Sequence, residues 1–511
     1  MKIIQNIKNA VCITLLSLAA YTNSNAQHLY STDPLFKTIF ESRKNVNPYY
    51  VGSNPAYLLY EKGDQLLSLK SSYNNDNGDF KRFIDPKTHR LYQVSASGKK
   101  QIDSLQTFKG SFGFQRLERK NWDWLVSKYY DDFNPFLFGD STSGQTHYNG
   151  IVMNAQYVAL VFNRLLFGFM LNYNVDEGVK EVSPGPTSEH RDIDLTLGGG
   201  YLFNENLSIG ASLKIYDYNE KILYQQDDGA VSKEVLLLKF KGIDFPFINK
   251  KKTETRYSYK NGVFSYGNFS YISPAFSIAA YFGGGIEQLT IKEDANDPVT
   301  QGYWKNNVLE GAVQSSAALT EKLSLGVYYS YNDDKMWARH QNSSILMMEN
   351  NSPRHSILSG LEYLLSENIS LGIEGGIDKY KADYNDYYSH VFCSLKASNF
   401  KAAIGSRIRW SSLLSTEISL QLDKYKVSSS DLTDALQSKY YSNYRIKDIL
   451  YYMTDYMKHS INSKIVLEPG RWGYINIYML YNNVLPVNNS SFSDLYRSEL
   501  SSVIEVKIRA Y

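Results

Sequence analysis

The stretch Leu364-Leu-Ser-Glu-Asn-Ile-Ser-Leu-Gly-Ile-Glu-Gly-Gly-Ile-Asp378 joins a polar turn to a segment that alternates in polarity. From Ile369 onward most odd-numbered residues are apolar, whereas Glu374 and Asp378 share the opposite face of an extended chain. Because side chains in a β-strand point alternately to the two sides, this pattern predicts a strand with one apolar and one polar face.

The same turn-and-strand unit recurs at Phe203-Asn-Glu-Asn-Leu-Ser-Ile-Gly210 and at Leu319-Thr-Glu-Lys-Leu-Ser-Leu-Gly326. A repeated unit of this kind predicts an antiparallel meander. From Gln65 to the C terminus the alternation divides the chain into about 18 strands. Two segments, 121–132 and 285–292, alternate only weakly, so a count of 16 is also compatible with the sequence.

The connections between these strands alternate in length. Turns of a few residues separate many neighbouring strands, and longer connections at 76–104, 219–267 and 428–454 separate others. The alternation predicts one strand for segment 105–117 and one for segment 268–282. Short turns at one end and long loops at the other are typical of a transmembrane antiparallel up-and-down β-barrel in the bacterial outer membrane. A β-propeller is disfavoured because the repeats have no fixed spacing.

The N-terminal region does not alternate. Residues 1–26 have basic residues, an apolar run and a small-residue cleavage motif ending at Ala26, which predicts a signal peptide for export. Residues 27–64 are expected to form a periplasmic or plug-like segment with a short helix at 34–41. Asp33 is suited to the N-cap of this helix and Pro34 to its first turn. Residues 65–511 are then the barrel.

The amino-acid composition narrows the classes of function and the environment that this protein can have. Removing Lys2 and Lys8 with the signal leaves 52 basic and 52 acidic residues, which gives no electrostatic case for binding nucleic acid. Cys393 would be the single cysteine left, so no internal disulfide is expected. The 43 tyrosines suit a boundary between lipid and water, and a mean hydropathy of −0.38 with clean apolar faces suits a barrel that is apolar outside and wet inside.

The last strand, Val503–Tyr511, runs to the end of the chain and finishes with an aromatic residue. Together with the approach Asn54-Pro55-Ala56-Tyr57 and the Tyr-rich strands, it resembles a family of uncharacterised outer-membrane β-barrel proteins from Bacteroidota-type bacteria. The Asn-Pro-Ala element is also similar to the opening of barrel partners of type IX secretion. Neither resemblance supplies catalytic residues, and Tyr511 falls on the polar face of its strand.

If the apolar faces meet lipid, the opposite faces line the lumen. The functional interpretation is a charged constriction that selects solutes, and the alternative is that opposite charges neutralise one another in a filled lumen. The lumen-lining candidates on these faces are Glu374, Asp378, Arg407, Arg409, Glu417, Asp423, Lys464, Glu505, Lys507 and Arg509.

A second candidate site is the Tyr-rich loop at 428–454. Exposed tyrosines could stack on sugar rings or contact a protein, and otherwise they would pack within the loop. These residues are Tyr440, Tyr441, Tyr444, Tyr451 and Tyr452. No catalytic motif, cofactor motif or metal-ligand spacing is found, although a site assembled from distant strands around His355, His390 or His459 stays open.

The leading hypothesis is an integral, porin-like outer-membrane barrel that acts as a channel, or as the membrane-embedded partner of a surface uptake or export complex. Expected partners are outer-membrane lipids and a surface lipoprotein or TonB-dependent receptor, with no cofactor. The alternatives are a barrel enzyme acting on lipid or surface polymer, and a secreted all-β binding protein.

Overall fold

The structure is a computed structural model. It describes residues 46, 48–52, 54–61, 66–128, 134–182, 185–225, 235–240, 242, 246–249, 253–294, 296–341, 345–434, 446–468, 473–487, 492 and 495–509. The predicted signal peptide, the predicted helix at 34–41 and three of the loop tyrosines (Tyr440, Tyr441 and Tyr444) lie outside these residues.

Twenty antiparallel strands make up most of the described chain. They are β1 (Leu66–Gly78), β2 (Thr88–Asp103), β3 (Gln106–Leu125), β4 (Phe138–Val161), β5 (Leu165–Lys180), β6 (Thr187–Leu202), β7 (Leu207–Gln225), β8 (Leu237–Phe240), β9 (Pro246–Asn249), β10 (Thr253–Ile272), β11 (Phe276–Glu293), β12 (Val299–Ala318), β13 (Leu323–His340), β14 (Leu346–Ser366), β15 (Ile369–Asp386), β16 (Val391–Arg409), β17 (Leu414–Asp434), β18 (Tyr456–Leu467), β19 (Gly473–Pro486) and β20 (Arg497–Arg509).

Eighteen of these strands close into a barrel. Each of β1–β7 and β10–β20 pairs with its neighbours in sequence, β7 pairs with β10, and β1 pairs with β20 to complete the ring. The short hairpin β8–β9 lies against the end of β4 instead. Closure removes the free strand edges that an open sheet exposes. The predicted all-β barrel of about 18 strands is confirmed.

The predicted strand count was right, although the sequence placed several strand boundaries wrongly. Segment 76–104 is not one long connection, because β2 occupies most of it. Its outward positions include Ala96 and Gly98, which give a weak apolar signal. Segment 105–117 and residues 121–125 of the next predicted strand are instead parts of β3, which ends at Leu125. The register to β4 shifts between Arg119 and Trp122, and Asn121 has a positive φ of 49°. This irregularity interrupts the alternation without ending the strand.

A similar correction applies to 268–282. The chain turns at residues 273–275, around Pro274, so this segment belongs to the end of β10 and the start of β11. The 219–267 connection shrinks accordingly, since β10 begins at Thr253. Proline has no backbone N–H to donate to a ladder, which explains why the sheet reverses at this point.

The two ends of the barrel differ. At one end the connections have two to five residues, and at the other they have four to 27, including the β8–β9 hairpin. The barrel both begins, at β1, and finishes, at β20, at the short-turn end. In outer-membrane barrels the short turns face the periplasm. The other end, which we call the long-loop end, would then face outward from the cell.

The outer wall carries an apolar band next to the short-turn end. On β15, Leu371 and Ile373 are 45% and 54% exposed, whereas Glu374 and Asp378 on the inner face are 8% and 3% exposed. Beyond Ile377 the polarity of the two faces reverses. Ala382 and Tyr384 are buried inside, and polar side chains point outward. The strands therefore continue past the apolar band as a wall with a wet outside and an apolar inside.

At the long-loop end, connecting segments pack against the apolar interior of the wall, and we call these segments the cap. Phe136 from the 126–137 connection and Ile449 from helix α1 (Ile446–Tyr452) pack inside the wall. Strand residues in the same cluster are Leu289, Ile291, Trp304, Ala338, Met347, Met348, Ala382, Tyr384, Val391, Cys393 and Leu395. Two further apolar clusters, around Trp122 and Tyr224, continue the packing toward β8. The cap is thus a hydrophobic core and not a set of free loops.

Candidate functional site

The interior of the barrel is the candidate site, and its charged wall lies at the level of the apolar band. Asp378 is the most buried of the predicted acidic residues there. Its carboxylate lies 2.8 Å from Lys401 Nζ and 3.1 Å from Arg354 Nη2, and it accepts a 2.6 Å hydrogen bond from Ser356 Oγ. One carboxylate is therefore held by cations from the two neighbouring strands, β14 and β16.

The sequence did not identify these two partners. It placed Glu374 and Asp378 in a shared lumen with Arg407 and Arg409, but the register puts Arg407 opposite Ser370 and Asn399 opposite Asp378. Lys401 could have been found, because it has the same parity as Arg407 on β16. Strand offset, which the alternation does not fix, decides the pairing.

The remaining predicted residues form further polar contacts. Arg407 Nη2 lies 2.9 Å from Glu417 Oε2, Glu505 Oε2 lies 3.2 Å from Lys507 Nζ, and Lys464 lies over the Tyr478 ring at 5.2 Å. Asp423 accepts a 2.7 Å hydrogen bond from Gln421. Arg409 is exposed at the end of its strand, and the side chain of Arg509 lies outside the described part.

These contacts show what the wall does chemically. Asp378 and Glu417 lie beside cations on adjacent strands and Glu505 lies beside one on its own strand, so these three acids are compensated locally. A compensated wall exerts a weaker field on a passing solute than a ring of like charges would.

A second feature is the segment 48–61, which belongs to the N-terminal region 27–64 and lies inside the barrel near the short-turn end. Its centre is a 3-10 helix, Pro55–Tyr60, that Asn54 caps by accepting a 3.0 Å hydrogen bond from Ala56 N. Asn54 Nδ2 also donates to the carbonyl oxygens of Gly199 at 3.1 Å and Ala211 at 3.2 Å. We call this segment the inner brace.

Inward-facing glycines make room for the brace. A Cβ on Gly198 would lie 2.1 Å from Asn54 Oδ1, and one on Gly168 would lie 2.6 Å from the Ala56 nitrogen. Only a residue without a side chain allows this approach of two backbones. The Asn-Pro start of a helix could be recognised in the sequence. The wall residue that Asn54 contacts, Gly199, lies about 145 residues away along the chain.

Ion pairs fix the far end of the brace. Glu61 lies 2.6 Å from Lys109 Nζ and also contacts Lys99, two cations on the inner faces of β3 and β2. Burial raises the pKa of Tyr57 to about 12, so its phenol is neutral at physiological pH. The brace therefore spans from β2 to β7, held to the wall by Asn54 at one end and by Glu61 at the other.

The cap is also tied down by charged residues. Arg82 and Asp85, both in the 79–87 connection, form a buried pair at 2.8 Å. Burial would raise the pKa of Asp85, but the Arg82 guanidinium outweighs it and holds this pKa well below its usual range. Asp448 on α1 accepts hydrogen bonds from the Phe83 and Ile84 nitrogens at 2.7 and 3.4 Å.

The described loop tyrosines belong to this cap. Tyr451 lies 4.9 Å from the Phe80 ring and accepts a hydrogen bond from Arg497, and Tyr452 accepts one from Arg82. Both are half-buried. These contacts agree with packing within the loop and leave little of either ring free for a ligand.

The three histidines left open as catalytic candidates lie on separate elements. His355 is on β14, His390 is in the turn after β15, and His459 is on β18. Four strand spacings separate β14 from β18, which is about 19 Å. Within the described residues, no group of three or more His, Cys, Asp or Glu side chains could hold a metal ion. No helix in this part of the chain has the length and apolarity needed to cross a membrane.

Several solved structures are similar to this one. The Ralstonia pickettii toluene transporter TbuX has 11% sequence identity, with 91% of this chain and 94% of that chain covered and a TM-score of 0.33. A Pseudomonas aeruginosa FadL homologue has 10% identity, coverage of 90% and 93%, and a TM-score of 0.33. The siderophore receptor PiuA from Acinetobacter baumannii has 9% identity, coverage of 88% and 82%, and a TM-score of 0.39.

Similarities with such low sequence identity and TM-score do not support a conclusion about function. Among curated proteins, none matches the chain. A family model does match, from residue 55 to residue 502, and so covers the inner brace helix and nearly the whole barrel. The chain belongs to the family of unknown function DUF6850.

Proposed function

We propose that this protein is an integral outer-membrane β-barrel, closed at its outward end, that serves as the membrane-embedded partner of a surface uptake or export complex. Export would follow from the signal peptide expected at residues 1–26. The partner would be a surface lipoprotein or a TonB-dependent receptor.

The packed cap carries this proposal. An open porin needs a water-filled path along its axis, whereas here Trp304, Tyr384 and Phe136 belong to one hydrophobic cluster inside the outward mouth. Removing such a cluster from the path would expose a large apolar area to water, which is costly. A resting barrel of this kind is better suited to holding a partner than to free diffusion.

The rim of the long-loop end supports a protein partner. Large apolar side chains are exposed at three connections there, between β11 and β16: Val299, at the start of β12, is half-exposed, Ile345 is 60% exposed, and Tyr387 and Tyr388 are also exposed. Exposed apolar and aromatic side chains on neighbouring turns are typical of binding surfaces. The Asn54-Pro55-Ala56 element has an internal role as part of the brace and gives no separate argument for a type IX partner.

A gated channel is the second candidate. Arg407 and Lys507 on the inner wall keep about a quarter of their side-chain surface accessible. This wet charged face would become part of a solute path if a partner displaced the cap. The two candidates therefore differ in whether cap opening is part of the function.

Photo-crosslinking in intact cells tests the partner proposal. A photoreactive residue replaces Ile345 at the rim, and the matched control replaces Leu319, which is 53% exposed in a short turn at the opposite end. We expect one discrete outer-membrane or surface adduct from position 345, lost when Tyr387 and Tyr388 are both changed to Ser. Adducts of the same kind from both positions, or none from position 345, would contradict the proposal.

A further inference from the structure

The outer wall carries a cluster of basic side chains just beyond the apolar band. We call it the outer basic patch: it consists of outward-facing side chains on β14–β17, namely His355, Lys379, Lys381, Lys396, Lys424 and Lys426. All of them except the half-buried Lys381 are exposed. This face is separate from the inner wall and from the cap.

The strand register brings these residues together in adjacent rows. His355 is opposite Lys379, Lys379 is opposite Ser398, and Ser398 is opposite Lys426. In the next row toward the rim, Lys381 is directly opposite Lys396. Neighbouring strands lie about 4.8 Å apart and alternate rows about 7 Å apart, so the ammonium groups share one small area.

Two lysines facing each other across a strand pair repel, and such a pair destabilises a sheet unless an anion lies between them. Asp383 supplies one carboxylate, 2.5 Å from Lys381 Nζ. Asp431 lies on the same outer face, one row beyond Lys396. Two acids toward the rim against five lysines leave the patch with an excess of positive charge.

The row on the other side of the patch is apolar on β14–β16 and ends at Lys424 on β17. Ile357 is opposite Ile377, and Ile377 is opposite Phe400, which is 49% exposed. An open depression lies on the patch, and its lining includes His355, Lys379 and Lys396. A ligand here meets cations toward the rim and exposed hydrocarbon toward the middle of the wall.

We propose that the outer basic patch binds the phosphorylated head group of an outer-leaflet lipid, with its acyl chains lying along the apolar row. An amphipathic lipid matches both halves of the surface, whereas a free phosphate or a nucleic acid would use only the cations. The inference rests on the proposed outer-membrane location, with the long-loop end outward. In that orientation the patch lies at the level of the outer head groups.

Lipid binding by purified, delipidated protein in detergent tests the inference. The patch variant carries Lys379→Gln, Lys396→Gln and Lys426→Gln. The control variant removes the same charge elsewhere, at three outward or loop lysines that each have an acidic partner: Lys87→Gln, Lys221→Gln and Lys335→Gln. Purified lipid A is the probe, phosphatidylcholine is the neutral comparison, and native mass spectrometry counts bound lipid.

We expect the wild-type and control proteins to bind lipid A at least about tenfold more tightly than the patch variant, and phosphatidylcholine to bind all three equally weakly. Equal lipid A binding by all three proteins would overturn the inference. Release of lipid A by a few millimolar inorganic phosphate would overturn the choice of a lipid over a free anion. Cell fractionation tests the proposed function separately. Recovery of the protein outside the outer membrane would refute the proposed function. Lipid A binding that does not depend on the patch would refute only this inference.

Discussion

A single arginine placed at two heights on the outer face of one strand measures where the wall meets lipid. Ile373 and Asn385 both lie on β15 and both point outward, but Ile373 is in the apolar band and Asn385 is near the rim. Ile373→Arg and Asn385→Arg therefore introduce the same side chain on the same face at different depths.

The magnitude follows from the strand geometry. The apolar outward positions on β15 run from Ile369 to Ile377, a span of eight residue steps. At about 3.4 Å per step and a tilt of about 40°, this span covers roughly 21 Å of membrane normal, with Ile373 at its midpoint. An arginine at the bilayer midplane costs about 2–4 kcal/mol. Asn385 lies a further eight steps beyond Ile377, in water, so its substitution should cost about zero.

Urea unfolding of the protein in phospholipid vesicles, followed by tryptophan fluorescence, measures both costs. We expect the free energy of unfolding to fall by about 2–4 kcal/mol for Ile373→Arg and to stay within about 0.5 kcal/mol of wild type for Asn385→Arg. Equal losses for the two variants, or the larger loss at Asn385, would show that the band is not the lipid-facing surface.

Two other predictions concern the brace and the cap. Asn54→Ala removes the helix cap and two part-buried hydrogen bonds to the wall, roughly 3 kcal/mol in all, so a thiol at Ala56→Cys should react on the order of 100-fold faster in that background. Asn204→Ala, at an exposed turn, should leave the labelling rate unchanged, and an unchanged rate in Asn54→Ala would refute the brace. Asp85→Asn should cost roughly 3 kcal/mol at neutral pH. Because the folded pKa of Asp85 is depressed, this difference from wild type should be complete above about pH 4 and shrink as the pH falls below it; a constant difference would contradict the buried ion pair.

The part of the fold that lipid dictates could be predicted from the sequence. Leu371 and Ile373 had to be apolar and Glu374 could not share their face, so the alternation gave strands, faces and turns in this region. The alternation says nothing about offset between strands. That is why the sequence placed Asp378 in the lumen but did not identify its partners, Lys401 and Arg354.

The rest depends on contacts between distant parts of the chain. Beyond the apolar band the polarity of the two faces reverses, so the apolar residue Tyr384 points inward and the polar residue Lys381 points outward. The alternation that predicts a strand with an apolar outer face is therefore lost in this region. The brace depends on Gly198 and Asn54 meeting across the barrel, and the cap depends on Asp448 binding the 79–87 connection. No window of the sequence contains both partners of such a contact.

Single-channel recording in a planar lipid bilayer tests the closed barrel most directly. The purified wild-type protein should be silent, because the cap fills the outward mouth. Asp448→Ala leaves two buried backbone N–H groups without their acceptor and should produce discrete conductance steps, whereas Lys447→Ala, at an exposed position on the same helix, should stay silent. Steady porin-like conductance from the wild-type protein would contradict the account.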